Sequence, residues 1–358
     1  MNFDTSEEQE LLQDTIGKWA SRECPPTRVR EIFDGDATHD PALWQGLCEL
    51  GVAGLVVPEA HGGAGLEMVE LALVAETLGF HGTPGPFFGH ALATLALVHG
   101  GSPDQQRRWL PRLASGELLG SVALAEEGSR WLPEQWQLAT GPKLSGAKHF
   151  VPAGDVVDLL VVGTSGGGMA LVERKAAGVV AKLYPGVDRA RRLADVSFEG
   201  AACEPLPRGD EAAARVRDAG LVLLAADAFG AASRLVDMAV AYAKTREQFG
   251  VTIGHFQALK HQLSNMAVEI EPARGLFWYA AHAFDKVPAD RERYAALAKA
   301  HITERGMQVA RDVVEAHGGI GFTWECDVQI WFKRIMQDRA FLGMPSIHRE
   351  RAAKLAGW

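Results

Sequence analysis

Apolar positions along the first third of the chain recur at helical spacing. Leu11, Leu12, Ile16 and Trp19 fall on one face behind Thr5-Ser6-Glu7-Glu8, where Thr5 or Ser6 offers an N-cap. Pro25-Pro26 is expected to end that helix. Further helical stretches are predicted over 41–50, 67–78, 87–98 and 103–113, separated by the glycine- and proline-bearing segments 61–65 and 81–86. From about residue 118 the period shortens. The runs 158–163 and 169–173 flank a Gly/Ser turn and read as a hairpin, and 146–151, 179–184 and 196–198 add strands. The helical period then returns. Residues 211–246 can form one helix of about 36 residues, about 54 Å long. Stretches 256–284, 290–317, 326–339 and 346–356 follow it. The expected fold is α+β: an N-terminal helical domain (1–117), a small antiparallel β-domain or barrel (118–206) and a C-terminal domain like a four-helix bundle (207–358).

Charge and cysteine usage narrow the function. Among 358 residues, 36 Lys and Arg stand against 45 Asp and Glu, a formal net charge of −9. That balance argues against nucleic acid as a partner. The most apolar stretch, 221–242, is interrupted by Asp227, Arg234 and Asp237, so it reads as a buried bundle helix and no membrane association is expected. The acidic start carries no apolar signal run. Cys24, Cys48, Cys203 and Cys326 are far apart without a CxxC pair, which fits a reducing cytoplasm and no zinc site.

Local motifs are mostly bland. Gly163-Thr-Ser165-Gly-Gly167 matches a hydrolase nucleophile pattern, but a strand follows where that pattern needs a helix, so a hairpin turn is expected. No dinucleotide fingerprint follows a strand, no P-loop or HExxH is present, and no metal is expected. Lys244-Thr-Arg246-Glu-Gln-Phe249-Gly250 closes the longest helix, where cations suit the helix dipole and Gly250 suits the C′ position. The same Arg246 could instead fork onto a pyrophosphate. Residues 333–358 hold six cations against Asp338 and Glu350, either a solvated face or a surface near an anion.

Taken in order, several segments resemble the acyl-CoA dehydrogenase family over the whole chain. They are Pro58-Glu-Ala-His-Gly62-Gly63-Ala-Gly65, Ala123-Leu-Ala-Glu126-Glu-Gly128, Leu144 to Gly154, Arg246-Glu-Gln-Phe249-Gly250 with Gln257, and Glu315 to Gly321. The resemblance implies FAD, an acyl-CoA substrate oxidised to its trans-2-enoyl form, and electron-transferring flavoprotein as acceptor. It implies that a carboxylate base removes the α-proton while a hydride passes to the flavin. It also implies an FAD shared between subunits, its flavin on one subunit's β-domain and its ADP end on a neighbour's bundle. Arg246, Phe249, Gln257, Glu315, Gly318 and Gly319 then match the ADP-side set, with Glu315 standing where the family has Gln.

The flavin and base positions depart from the family. Gly343 stands where the common catalytic Glu would be, and Gly220 stands near the alternative position, so no catalytic residue is assigned. The flavin-loop Thr matches Ala125, the following aromatic matches Phe150, and the next Thr matches Pro152, which has no N–H. Such asymmetry resembles the non-catalytic subunit of a heterotetramer, paired with a homologous catalytic subunit. Relatives of this kind act on sterol or bile-acid side chains, making a steroid-CoA a candidate substrate. A self-sufficient homotetramer with a relocated base, and a redox-inactive scaffold, are the alternatives.

Overall fold

The computed structural model describes residues 4–35 and 39–358. Two compact units result, each assembled from separated pieces of sequence. One combines the chain up to Phe33, Ala72–Thr83 and Leu221–Trp358; the other combines Asp34–Leu71 and Pro84–Gly220. The division falls within the helices α4 (Met68–Phe80) and α7 (Gly209–Thr245).

The first unit opens with α1 (Glu7–Glu23), where Ser6 accepts from the Gln9 N–H and Gln9 reaches back to the Ser6 N–H in a capping box. Pro25-Pro26 does not simply end this helix. The helix stops at Glu23, and Pro26 occupies the first position of a further helix, α2 (Pro26–Asp34), which buries Val29 and Phe33. After α7 come α8 (Gln257–Ile270), α9 (Arg274–Lys286), α10 (Pro288–His317), α11 (Val328–Ala340) and α12 (Pro345–Leu355). The single helix expected over 256–284 is two, because Pro272 sits in a 3-10 turn, Glu271–Ala273, between α8 and α9. Helix α10 packs against α8, α9, α11 and α12. Helices α4 and α7 cross with their backbones touching: a Cβ at Gly79 would lie 2.2 Å from Asp227 O, and one at Gly230 2.0 Å from Glu76 O. A fork from Arg334 closes this crossing, with Nε and Nη2 each 2.7 Å from the Asp227 carboxylate and Nη1 donating to Thr83 O at 2.9 Å. Helix α7 is long and apolar enough to cross a bilayer, yet most of its apolar window is buried inside the protein.

In the second unit α3 (Pro41–Glu49), α5 (Phe87–Gly100) and α6 (Pro103–Ala114) accompany two small sheets. The strands are β1 (Gly120–Ala123), β2 (Lys143–Pro152), β3 (Leu159–Thr164), β4 (Gly168–Glu173), β5 (Val179–Tyr184), β6 (Leu193–Ala202) and β7 (Glu204–Pro205). The sheet orders are β1-β3-β4-β7 and β2-β6-β5. Both sheets are open, so a barrel is not formed among the described residues. The pairings are antiparallel except β1 with β3, which run parallel. This parallel pair departs from the antiparallel expectation because the chain, without an α-helix in between, returns from β1 by way of β2 in the other sheet. Helix α5 lies on β1. His90 joins the two: Gly120 N–H donates to its Nδ1 at 3.2 Å and its Nε2 lies 3.3 Å from Ala53 O. Burial pulls this imidazole down to about 4, so it is neutral. The segment 163–168 is the hairpin turn between β3 and β4, as its flanking runs predict, and no helix follows Ser165 to make it a nucleophile elbow.

Candidate functional site

The residues matched to the family's flavin side lie on the loop after β1 and on β2. A register shift between Lys148 and Val151 bulges β2, and within it Phe150 takes a positive φ of 56°. The bulge turns the Phe150 ring out of the alternation of the strand. Trp131 lies against that ring, with centroids 5.6 Å apart and planes within 21°, while the edge of Tyr184 meets it at 4.8 Å. Ala125 is fully buried; its carbonyl accepts from His149 N–H at 2.9 Å and its side chain offers no donor. The Pro152 carbonyl accepts from Ser121 Oγ at 2.6 Å.

Beneath this loop lies a buried ion pair. Lys148 Nζ, fully buried, donates to Glu126 Oε1 at 2.7 Å and to Leu124 O at 3.1 Å. Glu126 also accepts from the backbone N–H groups of Gln137 (2.7 Å) and Leu138 (3.0 Å). Burial pulls Lys148 down to about 8, against the support of the Glu126 carboxylate. Burial alone would raise Glu126, but the Lys148 ammonium and the two backbone donors outweigh it and hold the carboxyl below its usual range.

Neither base position carries a side chain. Gly343 is buried at φ +102°, and Gly220 is buried within α7. The nearby Asp227 is committed to the Arg334 fork and so is a structural partner. Several of the C-terminal cations pair with carboxylates of the same chain. Arg351 bonds Glu292 at 2.8 Å, and both Arg339 (3.4 Å) and Arg349 (3.6 Å) face Glu304.

The residues matched to the family's ADP side meet at one end of the bundle. Helix α7 stops at Thr245, one residue earlier than Arg246, and a two-residue ladder follows: β8 (Glu247–Gln248) with β9 (Val251–Thr252). Phe249 and Gly250 form its turn, both at positive φ, 57° and 80°. Gly250 therefore serves a hairpin turn and not a helix C′ position. A phenyl ring at positive φ is a strained choice, and here it is 93% exposed, so its packing within the chain does not explain it. Phe256 meets its face edge-on at 6.0 Å and precedes Gln257, the first residue of α8. Gln257 Nε2 lies 3.0 Å from His261 Nε2. Tyr242, one turn before Arg246, stacks on His317 at 4.5 Å, which brings the end of α7 beside the Gly318-Gly319 turn. Both glycines are exposed with open space where a Cβ would be, and Gly318 has φ +66°. Arg246 and Glu315 are exposed and make no side-chain hydrogen bond or ion pair among the described residues.

This end has the donor set a pyrophosphate requires: an uncommitted guanidinium, unobstructed glycine backbone and an exposed ring for a flat group. Glu315 is the exception, a carboxylate beside a place for phosphate. The loop and strand of the second unit lack the corresponding fit to a flavin ring, because Ala125 offers no side-chain donor and one Phe150 face is covered. Sequence reading missed Trp131. Its only signal was position, one residue beyond the tight turn that follows Glu126.

Fold and motifs together define an α-β-α flavoprotein dehydrogenase. Residues 6–117 match the description "Acyl-CoA dehydrogenase, N-terminal domain", and 212–356 match "Acyl-CoA dehydrogenase, C-terminal domain". The chain is 35% identical to "Acyl-CoA dehydrogenase IpdE2" of Mycolicibacterium smegmatis over 98% of both chains. Among solved structures it is similar to a variant of the Tcur3481–Tcur3483 steroid ACAD, at TM-score 0.90 and 30% identity over 98% of each chain. It is also similar to a chain of the ChsE4–ChsE5 complex from Mycobacterium tuberculosis, at TM-score 0.91 and 26% identity over 100% and 99%. The chain belongs to the acyl-CoA dehydrogenase family, and is an oxidoreductase of that family.

Proposed function

We propose that this chain is the FAD-clamping, non-catalytic subunit of a heteromeric acyl-CoA dehydrogenase. The contrast between its two half-sites carries the reading. Arg246, Phe249, Gln257 and the Gly318-Gly319 turn are presented openly, whereas Gly343 leaves the base position without a carboxylate. In this reading the bundle holds the ADP end of FAD, and a homologous partner holds the flavin ring and the base. Bound FAD would supply the hydride acceptor for oxidation of an acyl-CoA. Arg246 would hold the pyrophosphate through its guanidinium N–H groups, and Phe249 would give a flat apolar contact. A steroid-CoA is the proposed substrate class, supported by the likeness to a steroid ACAD structure. Electron-transferring flavoprotein is the proposed acceptor.

Co-expression with a homologous catalytic subunit tests this. Flavin counting on the purified complex is expected to give one FAD per two protomers. The chain purified alone is expected to be colourless and inactive in dye-coupled assays on an acyl-CoA panel. Hydrogen bonds to charged groups are worth ~1.5–3 kcal/mol. Arg246→Ala should then weaken FAD retention by the complex about 10- to 150-fold, and Arg246→Lys should recover only part of it. Equal FAD affinity in an assembled Arg246→Ala complex, or turnover by the single chain, overturns the reading.

A further inference from the structure

We infer that Trp131 closes this chain's own flavin-facing seat, so that the subunit accepts the ADP end of the cofactor while refusing its ring system. The inference rests on the reading above and adds the residue that enforces the asymmetry.

Trp131 is held where it is by a short, well-bonded loop. Glu126 N–H donates to Arg130 O (3.1 Å) and Arg130 N–H donates to Glu126 O (3.3 Å), closing a turn in which Gly128 and Ser129 have φ of 76° and 59°. The indole emerges directly from this turn. Its backbone carbonyl accepts from Trp136 Nε1 at 3.2 Å, and its side chain is nearly buried. The Glu126 carboxylate anchors the base of the turn through Lys148, Gln137 and Leu138. Every tie is to a buried or backbone group, so the loop is a fixture and not a lid.

The indole makes with Phe150 the contact a flavin would make: a flat ring, nearly parallel, against the aromatic that the bulge turns outward. A side chain fixed in place does this without the loss of translational and rotational freedom that a free ligand undergoes. A flavin ring stacking on this face of Phe150 must therefore displace Trp131, and it would find no side-chain donor at Ala125 and no N–H at Pro152 when it arrived.

Riboflavin tests this on the full chain, because it carries the ring system without the pyrophosphate and its binding is independent of Arg246. Failure of this inference is thereby separated from failure of the clamp. Wild type is expected to show no saturable quenching of riboflavin fluorescence. Trp131→Gly should bind it saturably, at least tenfold more tightly than wild type. Trp131→Phe, which keeps a ring on Phe150, should behave as wild type. Trp131→Leu carries the same comparison if the glycine variant does not fold. Saturable binding by wild type as tight as by the opened variant overturns the inference, as does a folded, opened variant that binds none.

Discussion

Gly343 illustrates how far a single position can commit the molecule. The residue is buried at φ +102°, and a Cβ there would sit 3.3 Å from His348 Nε2. That nitrogen is engaged 2.9 Å from the Leu342 carbonyl, and Leu342 itself has φ +57°. Two successive residues in left-handed conformation and a buried imidazole thus shape the loop around the missing side chain. Restoring the family's carboxylate is then more than a change of side chain. Gly343→Glu should destabilise the chain by about 1–3 kcal/mol through backbone strain, seen as a lowered melting temperature, and should yield no acyl-CoA oxidation by the chain alone. A variant as stable as wild type and active without a partner would contradict this account. The identity of Gly343 was legible in the sequence. Its backbone conformation and the His348 contact were not, because they arise from where α12 packs.

At the level of elements, helix ends decide how the bundle is joined. Helix α11 ends against α10 through Lys299, whose Nζ is fully buried and donates to the carbonyls of Asp338 and, at 3.1 Å, Arg339. An ammonium at helix C-terminal carbonyls is favourably placed. Burial nevertheless pulls it down to about 7, with Asp338 opposing that shift and Arg339 adding to it. The consequence has a definite sign. Below pH 7 Lys299 is protonated in both folded and unfolded chains. Between about 7 and its ordinary value of 10.5 the unfolded chain binds a proton that the folded chain does not. Lys299 therefore contributes stability that rises with pH across that window. Urea unfolding of wild type and Lys299→Met at pH 7 and pH 9.5 checks it: the gain between the two pH values should be larger in wild type. An equal gain in both proteins would remove Lys299 as the source. The amphipathic spacing of α1 and the length of α7 could be read directly from apolar periodicity. The split between α8 and α9 could have been inferred from Pro272, and α2 from Pro26 with Val29 and Phe33 spaced four apart.

For the molecule as a whole, the exposed apolar residues point to assembly. Phe249, Ile320 and Phe322 are 93%, 51% and 76% exposed, and all belong to the end of the bundle where Arg246 lies. Apolar groups gathered at one place and left in water mark an interaction surface. Phe322 lies outside the residues matched to the cofactor, so its substitution addresses assembly and removes none of the matched side chains. Phe322→Ser should leave the folding of the chain unchanged and weaken the proposed complex with a homologous subunit by about 1.5–3 kcal/mol, the value of burying a Phe side chain. Sedimentation of the mixed subunits across a dilution series measures this. Undiminished assembly would place Phe322 outside the interface.

The sequence by itself determined the α-β-α order and which side chains stand at the positions matched to the family's motifs, Gly343 and Arg246 among them, because these depend on periodicity and on the presence or absence of particular side chains. Tertiary structure alone decided which neighbours those residues meet. The parallel β1–β3 pairing, the commitment of Asp227 to Arg334 and the pairing of the C-terminal cations with Glu292 and Glu304 all join segments distant in the chain. Trp131 is the sharpest case. Nothing in its local sequence sets it on Phe150; a tight turn on one side and a strand bulge on the other bring the two rings together. Such contacts depend on packing between elements, for which a linear pattern of apolar and polar positions carries no register.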